Sequence, residues 1–289
     1  MRTALLSLLS WALCASAAGV RAEPVQTVHR IAYANEDSLQ FGDLLLPEGK
    51  GPFPLAIVIH GGCWLSRFSL DGTAALASAL TDAGIATWNI EYRRVGNRGG
   101  GWPGTFLDVA AATDYATTLA KTYPVDLSRV VVVGHSAGAH LALWDAARAK
   151  LPAQSELRRG KPLALKGVIA LGGPGDLRPI ADRAGRICGD KTLERLLGGT
   201  LESVPERYAQ ASPAALLPFA VRQVLVAGSD DAVIPTRLLA DYEAAARNAG
   251  DRVELAEIRG ATHLDLITPG PPAWPTVRDK VLELIGSPK

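Results

Sequence analysis

Gly134-His135-Ser136-Ala137-Gly138 places a serine between glycines at both second neighbours, directly after Arg129-Val130-Val131-Val132-Val133 and just before Ala139-His140-Leu141-Ala142-Leu143-Trp144. The pattern reads as strand, sharp turn, helix. Glycines at those two places let the chain close a strained corner, leaving the Ser136 hydroxyl exposed with a helix N-terminus behind it. Such a hydroxyl is a candidate nucleophile for acyl transfer. The pentapeptide alone arises by accident in Gly- and Ala-rich chains; its weight comes from the valine run, which suits a strand buried on both faces of a parallel sheet.

A serine nucleophile needs a base to take its proton and a third group to orient that base. Of the five histidines, His29 lies upstream, His60 belongs to another motif, and His135 and His140 flank the serine. His263, in the late loop Arg259-Gly260-Ala261-Thr262-His263-Leu264-Asp265, is the remaining candidate. Two carboxylates, Asp230 and Asp231, follow the apolar run Val224-Leu225-Val226-Ala227, and either could reach a loop histidine. Donors for an oxyanion are offered by His60-Gly61-Gly62-Cys63-Trp64, directly after Leu55-Ala56-Ile57-Val58-Ile59, where glycines let the backbone approach a substrate. The N–H groups of Gly62 and Cys63, with that of Ala137 after the serine, form the expected oxyanion hole. Trp64 and Trp102 are candidates for pocket walls, although tryptophans in such loops often only pack the loops down. Glu91 and Arg93 read as a structural ion pair.

Together, His60 to Trp64, Gly134 to Gly138, Gly228 to Pro235 and the His263 loop resemble the motif set of the α/β-hydrolase superfamily. The H-G-G-x-W form is similar to its esterase/lipase-like branch, which includes kynurenine formamidases and hormone-sensitive-lipase relatives. The resemblance spans most of the chain after residue 22. It implies hydrolysis of esters or small amides, without metal or cofactor, by a Ser136-His263-Asp231 triad. Asp231 is favoured over Asp230 because the segment resembles the G-x-x-D-x-x-[VI]-P acid loop, with Gly228, Asp231, Ile234 and Pro235 in register. Cys63 departs from the glycine or bulkier residue of many relatives, which leaves the donor pair open. Within this class, small carboxylic esters are the first expectation and small amides the alternative; a silent binding module is a third reading, although no triad residue is missing.

The elements that must position these groups follow from periodicity. An early antiparallel strand at 39–46 is followed by strands at 55–59, 85–92, 129–133, 166–171, 224–227 and 253–258. Helices are expected at 74–82, 108–123, after Ser136, at 236–248 and from Trp274, with proline next at the first turn. That alternation predicts an α/β fold with a mostly parallel central sheet flanked by helices. Residues 174–218 break the rhythm with mixed Gly, Pro and charged residues and one short helical patch near 193–197. They read as a short cap or lid insertion in a hydrolase domain of residues 23–289. The cap is short for a lipase with a large mobile lid, which argues against long-chain triglycerides.

Bulk properties set outer limits. The 289 residues are 48% apolar and 20% charged, with formal net charge +1, as expected of one ordinary globular domain. No basic run favours nucleic acid, and no cysteine or histidine cluster has metal-ligand spacing. Arg2 and the apolar stretch from Ala4 to Val20 resemble a signal peptide, residues 1–22, cleaved after Ala22. The expectation is an exported chain, periplasmic or secreted, with a small-molecule substrate and no stable membrane insertion after cleavage. Cys63 and Cys188 then remain. A disulfide is arithmetically possible, but a domain of this size does not need one, and two separate small apolar side chains are expected.

Overall fold

Val130, Val131, Val132 and Val133 are all fully buried, because their strand lies in mid-sheet with helices on both faces. The computed structural model describes residues 26–286, apart from the side chain of residue 182; the expected signal peptide lies outside the described residues. Strands β1 (Val28–Ala32), β2 (Phe41–Leu45), β3 (Phe53–Ile59), β4 (Ala86–Ile90), β5 (Val125–His135), β6 (Gly167–Leu171), β7 (Arg222–Gly228) and β8 (Val253–Ile258) form one sheet in the order β1-β2-β4-β3-β5-β6-β7-β8. β2 pairs antiparallel with β1 and with β4, and every other pairing is parallel.

The helices are α1 (Ala74–Asp82), α2 (Gly104–Asp114), α3 (Ala116–Leu119), α4 (Ala137–Ala147), α5 (Ala181–Cys188), α6 (Thr192–Leu197), α7 (Pro205–Ala211), α8 (Thr236–Asn248) and α9 (Trp274–Ile285). Period-two alternation divides β5 between two cores. Val130 and Val132 pack with Phe106, Leu141 and Trp144 on one face, while Val131 and Val133 pack with Leu76, Leu80, Val277 and Val281 on the other. Burying a valine side chain stabilises by about 1.5–3 kcal/mol, and a strand buried on both faces gains this at successive positions.

Three elements differ from the sequence reading. β1 was not anticipated; only its alternate residues are partly covered, as suits an edge strand whose outer face meets solvent. The helix expected at 108–123 begins at Gly104 and breaks at Tyr115 into α2 and α3. The region 174–218 contains α5, α6 and α7 rather than one helical patch. Its Gly189 and Gly198 stop short helices instead of marking a long loop, Gly198 with the left-handed φ of +78° usual after a helix end. Among the described residues, no helix is long and apolar enough to cross a membrane.

Candidate active site

Ser136 sits where β5 turns into α4, with φ +54° and ψ −119°, a conformation costly for a residue with a Cβ. The flanking glycines explain how the turn is tolerated. A Cβ on Gly134 would come within 2.1 Å of the Gly138 carbonyl oxygen, and one on Gly138 within 2.1 Å of the Ile59 carbonyl oxygen. The corner therefore closes only with hydrogen at both places. The Ser136 N–H donates to the Leu171 carbonyl at 2.8 Å, which ties the turn to the end of β6.

The acid and the histidine come from the loops after β7 and β8, neighbouring parallel strands. Those loops are stitched together: the Asp230 N–H donates to the Ala261 carbonyl at 3.0 Å, and the Gly260 N–H to Ser229 Oγ at 2.8 Å. His263 Nδ1 donates to Asp231 Oδ2 at 2.7 Å. Asp231 Oδ1 accepts the N–H groups of Val233 and Ile234, each at 2.8 Å. Burial alone would raise the Asp231 pKa, but the His263 hydrogen bond and the Ile234 and Val233 amides outweigh it and hold the carboxyl below its ordinary value. Asp230 is exposed and accepts from its neighbour Ser229. With Nδ1 donating to the carboxylate, Nε2 of His263 is left as the accepting nitrogen. His263 and Ser136 line the same cleft, and no hydrogen bond joins them in this resting geometry; such contacts often tighten only when substrate seats.

The segment after β3 runs along the serine turn, so that a Cβ on Gly61 would lie 3.0 Å from Ser136 Cβ. Gly62, Cys63 and Trp64 have consecutive positive φ values of +106°, +57° and +56°. Among the described residues, no backbone or side-chain acceptor engages the N–H of Gly62, Cys63 or Ala137. Gly62 and Cys63 lie beside Ser136 on the cleft wall. This arrangement offers free donors to a negative oxygen formed next to Ser136.

Beneath that loop is a buried polar network. His60 Nε2 meets Glu91 Oε1 at 3.0 Å, and Tyr92 donates its hydroxyl to the His60 carbonyl at 2.9 Å. Glu91 also pairs with Arg94 at 2.8 Å. The expected Glu91–Arg93 pair is not formed: Arg93 points instead to Asp108, with Nη2 2.7 Å from Oδ1. Burial pushes the Glu91 pKa up, but His60 and Arg94 more than compensate and lower it.

Of the two tryptophans expected to line a pocket, Trp64 is buried, edge-on to His140 at 5.3 Å, and lines the apolar cavity next to Ser136. Trp102 lines neither concavity beside Ser136. Its ring packs against Phe106 at 5.6 Å, under the Arg207 guanidinium, and its Nε1 donates to Glu156 at 2.5 Å. These contacts on a neighbouring surface satisfy the indole and hold it away from the cleft.

Two features were missed by sequence reasoning. Buried His135 hydrogen-bonds through Nε2 to the His263 carbonyl oxygen at 3.0 Å, with the two rings 4.5 Å apart. Burial above all lowers its pKa to about 3, so the ring is neutral and donates. Nothing in the sequence marks that position as more than the variable residue of the pentapeptide. Cys63 and Cys188, expected to be separate, form a disulfide. α5 folds back over the loop after β3 and brings two residues 125 apart in sequence to a Cα–Cα distance of 5.6 Å, within bridging range. Among the described residues, no group of three His, Cys, Asp or Glu side chains gathers as metal ligands would.

A mostly parallel eight-stranded sheet, a serine at a strand-to-helix elbow, and an acid and a histidine on later post-strand loops define the α/β-hydrolase fold in its esterase/lipase-like form. The BD-FAE family model matches residues 43–241, and the chain belongs to that family. It is 29% identical to esterase LipC of Mycobacterium tuberculosis over 77% of this chain and 56% of that protein. It is 25% identical to a probable isoprenylcysteine alpha-carbonyl methylesterase of Oryza sativa subsp. japonica over 89% of this chain and 62% of that protein. The chain thus spans little more than half the length of these two relatives. Among solved structures, a truncated carbohydrate esterase from gut microbiota superposes with a TM-score of 0.73 at 21% identity, covering 90% of this chain and 96% of that one. At that identity the likeness speaks for the fold.

Proposed function

We propose that the protein is a serine hydrolase of small carboxylic esters, acting through an acyl-enzyme. The observation that carries this reading is the meeting of Ser136, on a strained elbow, with the 2.7 Å Asp231–His263 pair on one cleft whose wall presents the unengaged Gly62 and Cys63 amides. His263 Nε2 takes the Ser136 proton as Oγ attacks the ester carbonyl carbon, and the carbonyl oxygen becomes an oxyanion held by the Gly62, Cys63 and Ala137 amides. As the tetrahedral species collapses, the carbon–oxygen bond to the alcohol breaks and His263 gives its proton to the departing oxygen. Water, deprotonated by His263, then attacks the acyl carbon; the bond to Ser136 Oγ breaks, His263 returns the proton to Oγ, and the carboxylic acid leaves. Asp231 keeps Nδ1 protonated and stabilises the imidazolium formed in each half-reaction. The esterase relatives support the reaction class. The Cys63–Cys188 bridge and the signal-like residues 1–22 support an exported, periplasmic or secreted protein.

The test is turnover of p-nitrophenyl acetate and of N-formylkynurenine by wild type and Ser136→Ala, alongside labelling by a fluorophosphonate probe. The expected outcome is ester hydrolysis and labelling, both lost in the variant. Preference for the formamide would move the assignment to a small-amide hydrolase, and folded protein that neither turns over nor labels would overturn catalysis by Ser136.

A further inference from the structure

Two concavities meet at Ser136. One, about 370 Å³ up to its mouth, lies behind Ala137 and is walled by Trp64, Ile180, Ala184, Val233 and Ile234. The other is an open cleft of about 1060 Å³ that contains His263. The rim of the cleft carries Phe68, Ile187 and Leu264, three of the five large apolar side chains most exposed among the described residues. Because His263 must protonate the departing oxygen, the alcohol half of an ester lies on the side where His263 stands. The smaller, apolar cavity is then left for the acyl half. This assignment rests on the serine ester hydrolase reading above.

The wall of that cavity is α5, eight residues long. A helix this short has little stability of its own, so its position depends on what it is tied to. Two ties hold it. Arg183 Nε donates to the Val233 carbonyl and its Nη2 to the Ala232 carbonyl, both at 2.7 Å, and these residues directly follow Asp231 in the acid loop. At the other end, Cys188 is bonded to Cys63 of the oxyanion loop. One helix thus spans from the loop carrying the acid to the loop carrying the oxyanion donors, and Ala184 on the helix, with Ile180 just before its first residue, lines the cavity.

We propose that α5 is a clamped wall. The Cys63–Cys188 bridge and Arg183 fix the acyl site at a size suited to short apolar acyl groups, and opening the bridge admits longer ones. Ile180 and Ala184 are the specificity-determining residues, and Cys188 is a positioning residue that acts through the helix. Opening requires two electrons and two protons: a dithiol reductant becomes its cyclic disulfide, and Cys63 and Cys188 become thiols.

The experiment measures kcat/KM over p-nitrophenyl esters from acetate to dodecanoate. It uses the whole protein as oxidised, the same protein after dithiothreitol with two new thiols counted, Cys188→Ser, and Ala184→Phe. For the oxidised protein, kcat/KM is expected to fall about tenfold or more between butanoate and octanoate. Reduction or Cys188→Ser is expected to narrow that fall to about threefold or less, and Ala184→Phe to lower butanoate about tenfold relative to acetate. An acyl profile unmoved by both reduction and Ala184→Phe overturns the clamped wall while leaving the esterase standing. If Cys188→Ser does not fold, reduction of the folded protein and Ala184→Phe decide the matter. Absence of turnover on every ester together with absence of Ser136 labelling overturns the esterase reading, and the acyl site with it.

Discussion

Two carboxylate–histidine pairs stand at the same end of one sheet, each made between the loops of neighbouring parallel strands. His60 and Glu91 follow β3 and β4, and Asp231 and His263 follow β7 and β8. Their separations are similar, 3.0 and 2.7 Å. What surrounds them is not. His60 is 1% exposed, faces the Gly61 carbonyl with its other ring nitrogen at 2.8 Å, and stacks on Tyr92, while Glu91 is also occupied by Arg94. His263 keeps 12% of its side chain exposed, and Nδ1 makes its one side-chain hydrogen bond. A carboxylate–histidine contact is therefore not in itself a mark of catalysis. The closed pair braces the turn that presents Gly62 and Cys63, whereas the open pair has a nitrogen available to move a proton.

Mutations should divide along that line. Ser136→Ala and His263→Ala are expected to lower kcat on p-nitrophenyl acetate on the order of 10⁶-fold with folding intact, as for other enzymes of this chemistry. Asp231→Asn should lower kcat about 10⁴-fold, because an amide can hold His263 in the wrong tautomer. Comparable losses from Glu91→Gln would break the comparison. The expected result for Glu91→Gln is instead less than about a tenfold change in kcat/KM together with a loss of about 3 kcal/mol in urea unfolding, since Arg94 and His60 would be left facing a neutral group in a buried site.

Acid sharpens the same contrast. The Glu91 pKa is lowered in the folded protein from its ordinary 4.5, so its contribution to stability is present above 4.5 and is lost as pH falls through the folded value. The stability gap between wild type and Glu91→Gln should therefore close below about pH 4.5, measured as urea midpoints across pH. A gap that stays constant down to pH 3 would show that Glu91 does not stabilise the fold as a carboxylate. The smallest effect is expected from Trp102→Ala, which should change kcat/KM on short esters by less than about threefold, because its contacts with Phe106, Glu156 and Arg207 lie off the cleft. A larger loss, confined to KM, would bring Trp102 back to the substrate.

Much of the frame was legible because it depends on local pattern. α1, α8 and β8 have the boundaries that periodicity and capping suggest, and the valine run marks the centre of the sheet. β1 escaped because Val28-His29-Arg30-Ile31-Ala32 is an edge strand with little apolar signal, ordered by pairing with β2 rather than by its own composition. Of the cap helices, α6 matches the short patch expected near 193–197, while α5 and α7 escaped because helices of seven or eight residues are set by what they pack on. At the site, Ser136 and His263 were named from motif order and Asp231 was favoured from the resemblance of its loop, while the His135 hydrogen bond to the His263 carbonyl, 128 residues away, leaves no trace along the chain.

The sequence by itself determined the alternating β/α order, the glycine-flanked serine corner and the late acid and histidine loops. Each of these rests on backbone geometry and side-chain period acting over a few residues. Only the tertiary structure decided that Asp231 rather than Asp230 meets His263, that Arg94 rather than Arg93 meets Glu91, that Trp102 turns away from the cleft, and that Cys63 and Cys188 join. The reason is common to all four. Each depends on which loop a side chain faces once distant strands have paired, and neighbouring residues of equal chemistry differ there only in direction.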